Sequence, residues 1–244
     1  MDRQMQVFEE VFESLVSTQE ILKEDHNPVY RFDDQLIDGA IIDIGCGQTS
    51  SLLKYAASGR RLIGIDNEQS QLNKLRSRMT EVAGFTSREW ELLKQNLQHD
   101  PLPKGIYAMV VLFNILHFFS LKYCERFVEK LEPHLKTGSI LSICVHSVKY
   151  FANDPTNPQN NEYFKHYFSQ DDLDKLFPSI KYDRLYRADI ETQQCKKYQE
   201  VAALWAEKLI EYFKIADPLI KADLRQNSKD NNIQADLICV YKRR

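Results

Sequence analysis

Long apolar runs are missing from this 244-residue chain. The longest, residues 108–119, is interrupted by Asn114 and His117. It falls short of the roughly 20 residues that a membrane span needs. An excess of one charge is missing too: 32 Lys and Arg stand against 35 Asp and Glu, a formal net charge of -3. That balance argues against a protein built to grip nucleic acid or an anionic membrane. Cysteine pairs are absent. Cys46, Cys124, Cys144, Cys195 and Cys239 are odd in number and scattered, with no CxxC. This argues against a disulfide framework or a Cys-rich zinc site and fits reduced thiols in a cytosol. The six histidines form no HxxxH pair, so no metal site is expected. The first residues carry acids at helical spacing and no apolar signal core. The expectation is a soluble, cytoplasmic protein.

What is present is enough to build a core. The chain is 43% apolar and 27% charged, which excludes a disordered chain. Apolar residues at helical spacing (Phe8, Val11, Phe12, Leu15, Leu22) predict an amphipathic helix over 4–23, whose apolar face leaves a dimer open. From residue 40 onward, strand and helix alternate. Strands are expected at 40–44, 61–65, 90–93, 107–113 and 139–146, with helices at 49–57, 68–83 and 123–135 between them. A short helix over 170–177 follows a Ser169 cap, and strands close the chain at 181–187 and 236–242. Between those two strands, one long helix is expected within 192–232. Residues 191–230 hold seven basic and seven acidic side chains, a balance that suits a solvated face. Strand–helix alternation is the signature of a parallel sheet covered on both faces. The closing pair of strands predicts an edge that turns antiparallel. The reading is one α/β domain: a Rossmann-like seven-stranded, mostly parallel sheet with helices on both faces. An N-terminal helix precedes it and a helical insertion lies before the last strand. The cofactor core spans about 36–146, and lid or substrate elements lie at about 1–35 and 147–235.

The segment IIDIGCGQTSS at 41–51, followed by IGIDNE at 63–68, carries the chemistry. A strand runs into a turn with two glycines, Gly45 and Gly47, where the missing Cβ atoms allow a sharp bend and close approach of a ligand. At the end of the next strand stands Asp66, placed to accept the ribose hydroxyl protons of an adenosine ligand. The dinucleotide fingerprint GxGxxG is incomplete, because Ser50 occupies the third glycine's place. Asp43, ahead of the glycines, would repel a pyrophosphate but welcome a cation. S-adenosylmethionine (SAM), with an ammonium, a sulfonium and no phosphate, fits those charges better than NAD.

These segments resemble the class I (Rossmann-like) SAM-dependent methyltransferases. IIDIGCGQTS looks like their first motif, and GIDN at 64–67 like their second, with Asp66 as the ribose acid. KQNLQHDPLP at 94–103 resembles the adenine-contacting segment, with Asn96-Leu97 where an acid and an apolar residue are usual. YAMVVLFNILHFF at 107–119 resembles the fourth strand and its loop, with Ala108 at a usually acidic place. The resemblance covers about residues 36–146. It implies SAM as cofactor and Asp43, Gly45, Cys46, Gly47, Asp66, Asn67, Asn96, Leu97, Phe113 and Asn114 around it. Tyr30 and Arg31 stand where some relatives hold the cofactor carboxylate. FSQDDLDKLFPSIKYDRLY at 168–186 is loosely similar to the tail of small-molecule methyltransferases.

Each candidate also has a purely structural alternative. Asp43 could bond a loop, Asp66 could cap the following helix, and Cys46 could simply pack. His117 and His146 are candidate general bases, or else satisfied histidines on apolar elements. Tyr150, Phe151, Tyr163, Phe164, Tyr167 and Phe168 line an acceptor pocket or form core. The function expected is methyl transfer from SAM to a small molecule. Beside it stand a methyltransferase of protein or nucleic acid, disfavoured by the charge balance and by the lack of an NPPY-like tetrapeptide; an NAD-dependent oxidoreductase, which lacks a Tyr-x-x-x-Lys pair; and a non-catalytic nucleoside-binding protein of the same fold.

Overall fold

The computed structural model describes residues 27–48, 51–82, 90–150, 152–158, 160–192, 196–230 and 234–244. The helix expected over 4–23 lies outside the described residues. Seven strands form one sheet: β1 Ala40–Ile44, β2 Leu62–Asp66, β3 Trp90–Lys94, β4 Tyr107–Phe113, β5 Ile140–His146, β6 Tyr182–Thr192 and β7 Gln234–Arg243. Their spatial order is β3-β2-β1-β4-β5-β7-β6. Strands β1 to β5 run parallel, and β7 lies antiparallel to β5 with His146 opposite Asp236. The order reverses between β1 and β4, the topological switch point at which open α/β sheets bind ligands outside the strands' carboxyl ends.

Strands buried on both faces read as continuous apolar runs. Each side of the sheet has its own packed layer. On one side, Ile42, Ile44, Val110, Leu112, Leu141, Ile143 and Val145 meet helices α2 (Leu121–Leu131) and α3 (Gln170–Leu176). Helix α2 buries Cys124, Phe127, Val128 and Leu131, the spacing of one helical face. Ser120 caps it by accepting the Tyr123 N–H, and Ser169 with Asp172 forms a capping box on α3. On the other side, Ile41, Met109, Val111 and Ile140 meet Leu72, Leu75 and Met79 of α1 (Gln69–Thr80) and a 3-10 segment, Ser51–Tyr55.

Two expectations change. The helix predicted over 49–57 is a single 3-10 stretch, Ser51–Tyr55. Its first described N–H, that of Ser51, is taken by Asp43 Oδ2 at 3.1 Å, so a side chain and not a helical carbonyl begins the segment. The single long helix predicted within 192–232 is two, α4 (Lys196–Tyr212) and α5 (Pro218–Asp230). Pro218 cannot continue a preceding helix but suits the first position of a new one. Asp217 Oδ1 caps that start, accepting the Leu219 N–H at 2.8 Å. Arg225 then joins the two helices through a forked pair with Glu207, at 2.6 and 3.0 Å.

The chain falls into two compact units. One comprises the described residues of 26–190 with 236–244, and the other the described residues of 191–235. The first holds the parallel core of the sheet and every site residue described below. No described helix is long and apolar enough to cross a membrane.

Candidate active site

The glycine turn is built by backbone bonds to the neighbouring strand. The N–H groups of Gly45 and Cys46 both donate to the Ile65 carbonyl, at 2.8 and 3.0 Å. Gly45 has φ 72° and Gly47 φ 51°, the left-handed region that favours glycine. They differ in surroundings. A Cβ on Gly45 would stand 2.7 Å from the Ile115 side chain, whereas a Cβ on Gly47 would meet nothing within 4 Å. Gly45 is thus needed for packing against the loop after β4, and Gly47 leaves open space beside the turn.

Asp66 ties this turn to the end of β2. Its Oδ2 accepts the Gly47 N–H at 2.9 Å and its Oδ1 the Glu68 N–H at 2.9 Å. A carboxylate has about four acceptor sites, so both oxygens can take a further donor. Burial raises its carboxyl above the ordinary range, against the pull of the Glu68, Gly47 and Asn67 N–H groups. Asn67, next to it, is exposed.

Behind the turn lies a buried polar chain that sequence patterning does not show. Asp43, 4% exposed, accepts the Ser51 N–H. Ser51 Oγ accepts from Asn27 Nδ2 at 3.2 Å, and Asn27 Oδ1 accepts from Ser142 Oγ of β5 at 2.8 Å. The loop-bonding alternative for Asp43 is therefore realised. Cys46 is buried, and burial pushes its thiol well up, with the Asp43 and Asp66 carboxylates adding to the effect. That favours a packed, protonated thiol over a thiolate there. Gln48, also in the turn, is buried, and among the described residues its Nε2 has no hydrogen-bond partner.

A second constellation lies beyond β4 and β5. His117 and His146 stack with ring centroids 3.8 Å apart and planes 4° from parallel. Tyr150 stacks on the other face of His146, again at 3.8 Å. Phe164 stands edge-on to all three rings, at 5.0, 4.7 and 5.7 Å. Phe118 and Tyr163 extend this wall. His146 Nδ1 lies 2.8 Å from Asp236 Oδ1, its cross-strand partner on β7. The His146 backbone N–H donates to His117 Nδ1 at 3.2 Å, so a neutral His117 carries its proton on Nε2. Burial, then His146, pushes the His117 imidazole well below its usual range.

Residues 41–138 match a family model described as a methyltransferase domain. No curated protein matches the chain in sequence. Its fold recurs among many solved structures, three methyltransferases among them. One is a SAM-dependent methyltransferase from Methanosarcina mazei, 15% identical over 90% of this chain and 98% of that one, TM-score 0.57. Another is an O-MT segment of StiE, 18% identical over 88% and 72%, TM-score 0.57. The third is a geranyl diphosphate C-methyltransferase from Streptomyces coelicolor A3(2), holding its substrate and S-adenosylhomocysteine, 16% identical over 88% and 76%, TM-score 0.53. Residues 41–138 are thus a methyltransferase domain, and the fold around them is one that SAM-dependent methyltransferases share.

SAM is the cofactor of this methyltransferase. The donor set suits it. The turn presents open space at Gly47 and a half-buried acceptor at Asp66, and the Arg78 guanidinium donates to the Gln48 carbonyl behind them. The remaining predicted residues distribute unevenly. Asn96 is exposed, and its Oδ1 already accepts the Gln98 N–H at 2.9 Å, which leaves its amide donors. Leu97 packs against the core. Phe113 ends β4 half-buried, and Asn114 follows with φ 55° and its N–H on the Cys144 carbonyl. Arg31 lies with its guanidinium 5.1 Å from the Tyr186 ring, and no described contact links it to the glycine turn. Of the six aromatics, Phe168 is core, Tyr150 and Tyr163 to Tyr167 surround the histidines, and Phe151 lies outside the described residues. Among the described residues, no group of three His, Cys, Asp or Glu is placed to hold a metal ion.

Residues missed by pattern reading share one trait: they are polar groups within or beside apolar runs. Ser142 interrupts ILSICV, Asp236 opens ADLICVY, and Asn27 precedes Pro28. A polar residue inside a buried strand needs a partner, which is the signal that could have found them.

Proposed function

We propose that this methyltransferase transfers the methyl group of SAM to a small-molecule acceptor bound beside His117 and His146. The observation that carries the proposal is the wall of rings past β4 and β5, on the same carboxyl edge as the glycine turn. The β5 end lies two strands from β1, about 10 Å away at the usual strand spacing. That is the scale on which a bound nucleoside and a small acceptor can sit side by side.

When bound, SAM supplies an activated methyl on a positively charged sulfur. The chain's residues do the rest. Asp66 receives the ribose hydroxyls, the Gly45–Gly47 turn with Cys46 admits the cofactor closely, and Asp43 holds the turn through Ser51. Asn67, Asn96 and Leu97 frame the adenine side, and Phe113 and Asn114 line the crevice at the end of β4. Arg31 is assigned to the cofactor carboxylate, which requires it to leave Tyr186. Positioning of this kind can supply roughly 7–11 kcal/mol of a barrier. The acceptor site is apolar with a few polar groups, as small-molecule sites are. A nucleic-acid acceptor is disfavoured by the net charge of -3. The four described cysteines are buried and unbridged, which fits reduced thiols in a cytoplasmic enzyme.

The test is formation of S-adenosylhomocysteine in the presence of small aromatic and aliphatic acceptors, with protein and RNA fractions as comparators. Turnover confined to protein or RNA would reassign the acceptor. SAM binding without turnover on any acceptor would make the chain a nucleoside-binding protein.

A further inference from the structure

The ring cluster specifies a proton route, and with it an acceptor chemistry. His146 Nδ1 faces the Asp236 carboxylate at 2.8 Å. An ionised carboxylate only accepts, so this bond places the proton of a neutral imidazole on Nδ1 and leaves Nε2 bare. His117 shows the opposite arrangement, with Nδ1 accepting the His146 backbone N–H. The two rings are stacked, so two positive charges would lie face to face. At most one positive charge is accommodated by the pair at low cost, and of the two rings only His146 has a carboxylate, Asp236, against it. The groups facing His146 are then few: Asp236 from β7, His117 from the loop after β4, and the Tyr150 phenol from the segment after β5. Tyr163 and Tyr167 lie behind Tyr150. Both partners of the pair keep some contact with solvent, 13% for the His146 side chain and 24% for that of Asp236.

We propose that His146 Nε2 takes a proton from the acceptor, that Asp236 positions the ring for this, and that the acceptor is an aromatic hydroxyl compound. The proposal rests on the small-molecule reading above. A base at this place matters most for a hydroxyl. An amine attacks through a lone pair it already has, and an aromatic thiol ionises unaided, whereas a phenolic oxygen gains its nucleophilicity on losing its proton. The acceptor oxygen gains the methyl carbon and gives its proton to Nε2. The electron pair of the broken carbon–sulfur bond stays on sulfur, and the positive charge passes to the imidazolium beside Asp236. Phe118, Tyr163 and Phe164 offer ring faces and edges to a flat acceptor. Asp236 is a positioning residue, and His146 the catalytic one.

The experiment has two arms on the full chain. Nitrogen-15 NMR of the histidine rings, with S-adenosylhomocysteine present, reads the tautomer directly. The wild type is expected to show His146 protonated at Nδ1 with a bare Nε2. Asp236→Ala is expected to shift the proton toward Nε2, and Asp236→Glu to restore it. A wild-type ring protonated at Nε2 overturns the proposal. The second arm compares methylation of phenol and of thiophenol at a pH where the thiol is ionised. Asp236→Ala is expected to slow the phenol reaction by about 100-fold or more through kcat, with thiophenol unchanged. Equal losses on both probes would make Asp236 a structural residue and overturn its positioning role. Failure of the small-molecule reading looks different: no product forms from either probe in the wild type, although SAM still raises the melting temperature, and the tautomer arm alone then decides the dyad.

Discussion

The carboxyl edge of the sheet has two working ends, and they are held by different forces. At the β1–β2 end, a turn of backbone N–H groups is pinned to one carbonyl, Ile65, and one carboxylate, Asp66. Its residues lie within one strand–turn–strand stretch, from Asp43 to Asp66. At the β5–β7 end, three stacked rings and a cross-strand pair converge from His117, His146, Tyr150 and Asp236. The first end depends on backbone conformation, the second on side-chain packing across distant segments. A methyltransferase can keep its cofactor grip with the first alone. On the proposed function, choice of acceptor falls to the second, where side chains change without disturbing a turn.

Breaking the second end gives the largest effect. His146→Ala should lower kcat by 10²- to 10⁴-fold, the usual range for a general base, while SAM-induced thermal stabilisation is retained. Loss of that stabilisation would mean that the two ends are not separable. Breaking the first end is the converse. SAM at 100 times its dissociation constant should add about 2.7 kcal/mol, a rise of about 5–10 °C for a chain of this size. Asp66→Ala should abolish that rise, and a full shift in the variant would remove Asp66 from the cofactor site.

Acid sharpens the contrast. The His117 imidazole lies well below its usual range because it is buried, so the folded state binds fewer protons than the unfolded chain below about pH 6.5. Stability is fully present above that pH and lost as pH falls toward the folded value. Denaturant melts from pH 7 to pH 5 should show a shallower slope in His117→Gln. Equal slopes would show that His117 takes up its proton as readily folded as unfolded. The smallest effects separate the two glycines. Gly45→Ala meets both a left-handed backbone and Ile115, and should cost about 2 kcal/mol of stability. Gly47→Ala meets only the backbone term, about 1 kcal/mol, and should weaken SAM binding more than it weakens the fold. The reverse order in melting temperature would contradict the packing role of Gly45.

Much of the fold is legible in the chain. Apolar runs bounded by glycine or charge mark β1, β2, β4 and β5 to within a residue, because strands buried on both faces need continuous apolar sequence. The first end of the site is equally legible, since a glycine turn followed by a strand-end acid is a local device. The split between α4 and α5 was also written in Asp217-Pro218, but the apolar spacing of Val201 to Phe213 masked it. The second end was legible only as separate candidates: His117, His146 and the aromatics could each have been core.

By itself, then, the sequence determined the alternating architecture, the turn chemistry and the charge balance, all of which depend on neighbours within about 25 positions. Tertiary structure alone decided that Asn27 meets Ser142, that Asp43 serves Ser51, and that Asp236 faces His146 across 90 positions. The physical reason is strand pairing. Register between β5 and β7 is set by the packing of the whole sheet, and a one-residue slip would send Asp236 to the opposite face. No local pattern in the chain encodes that register.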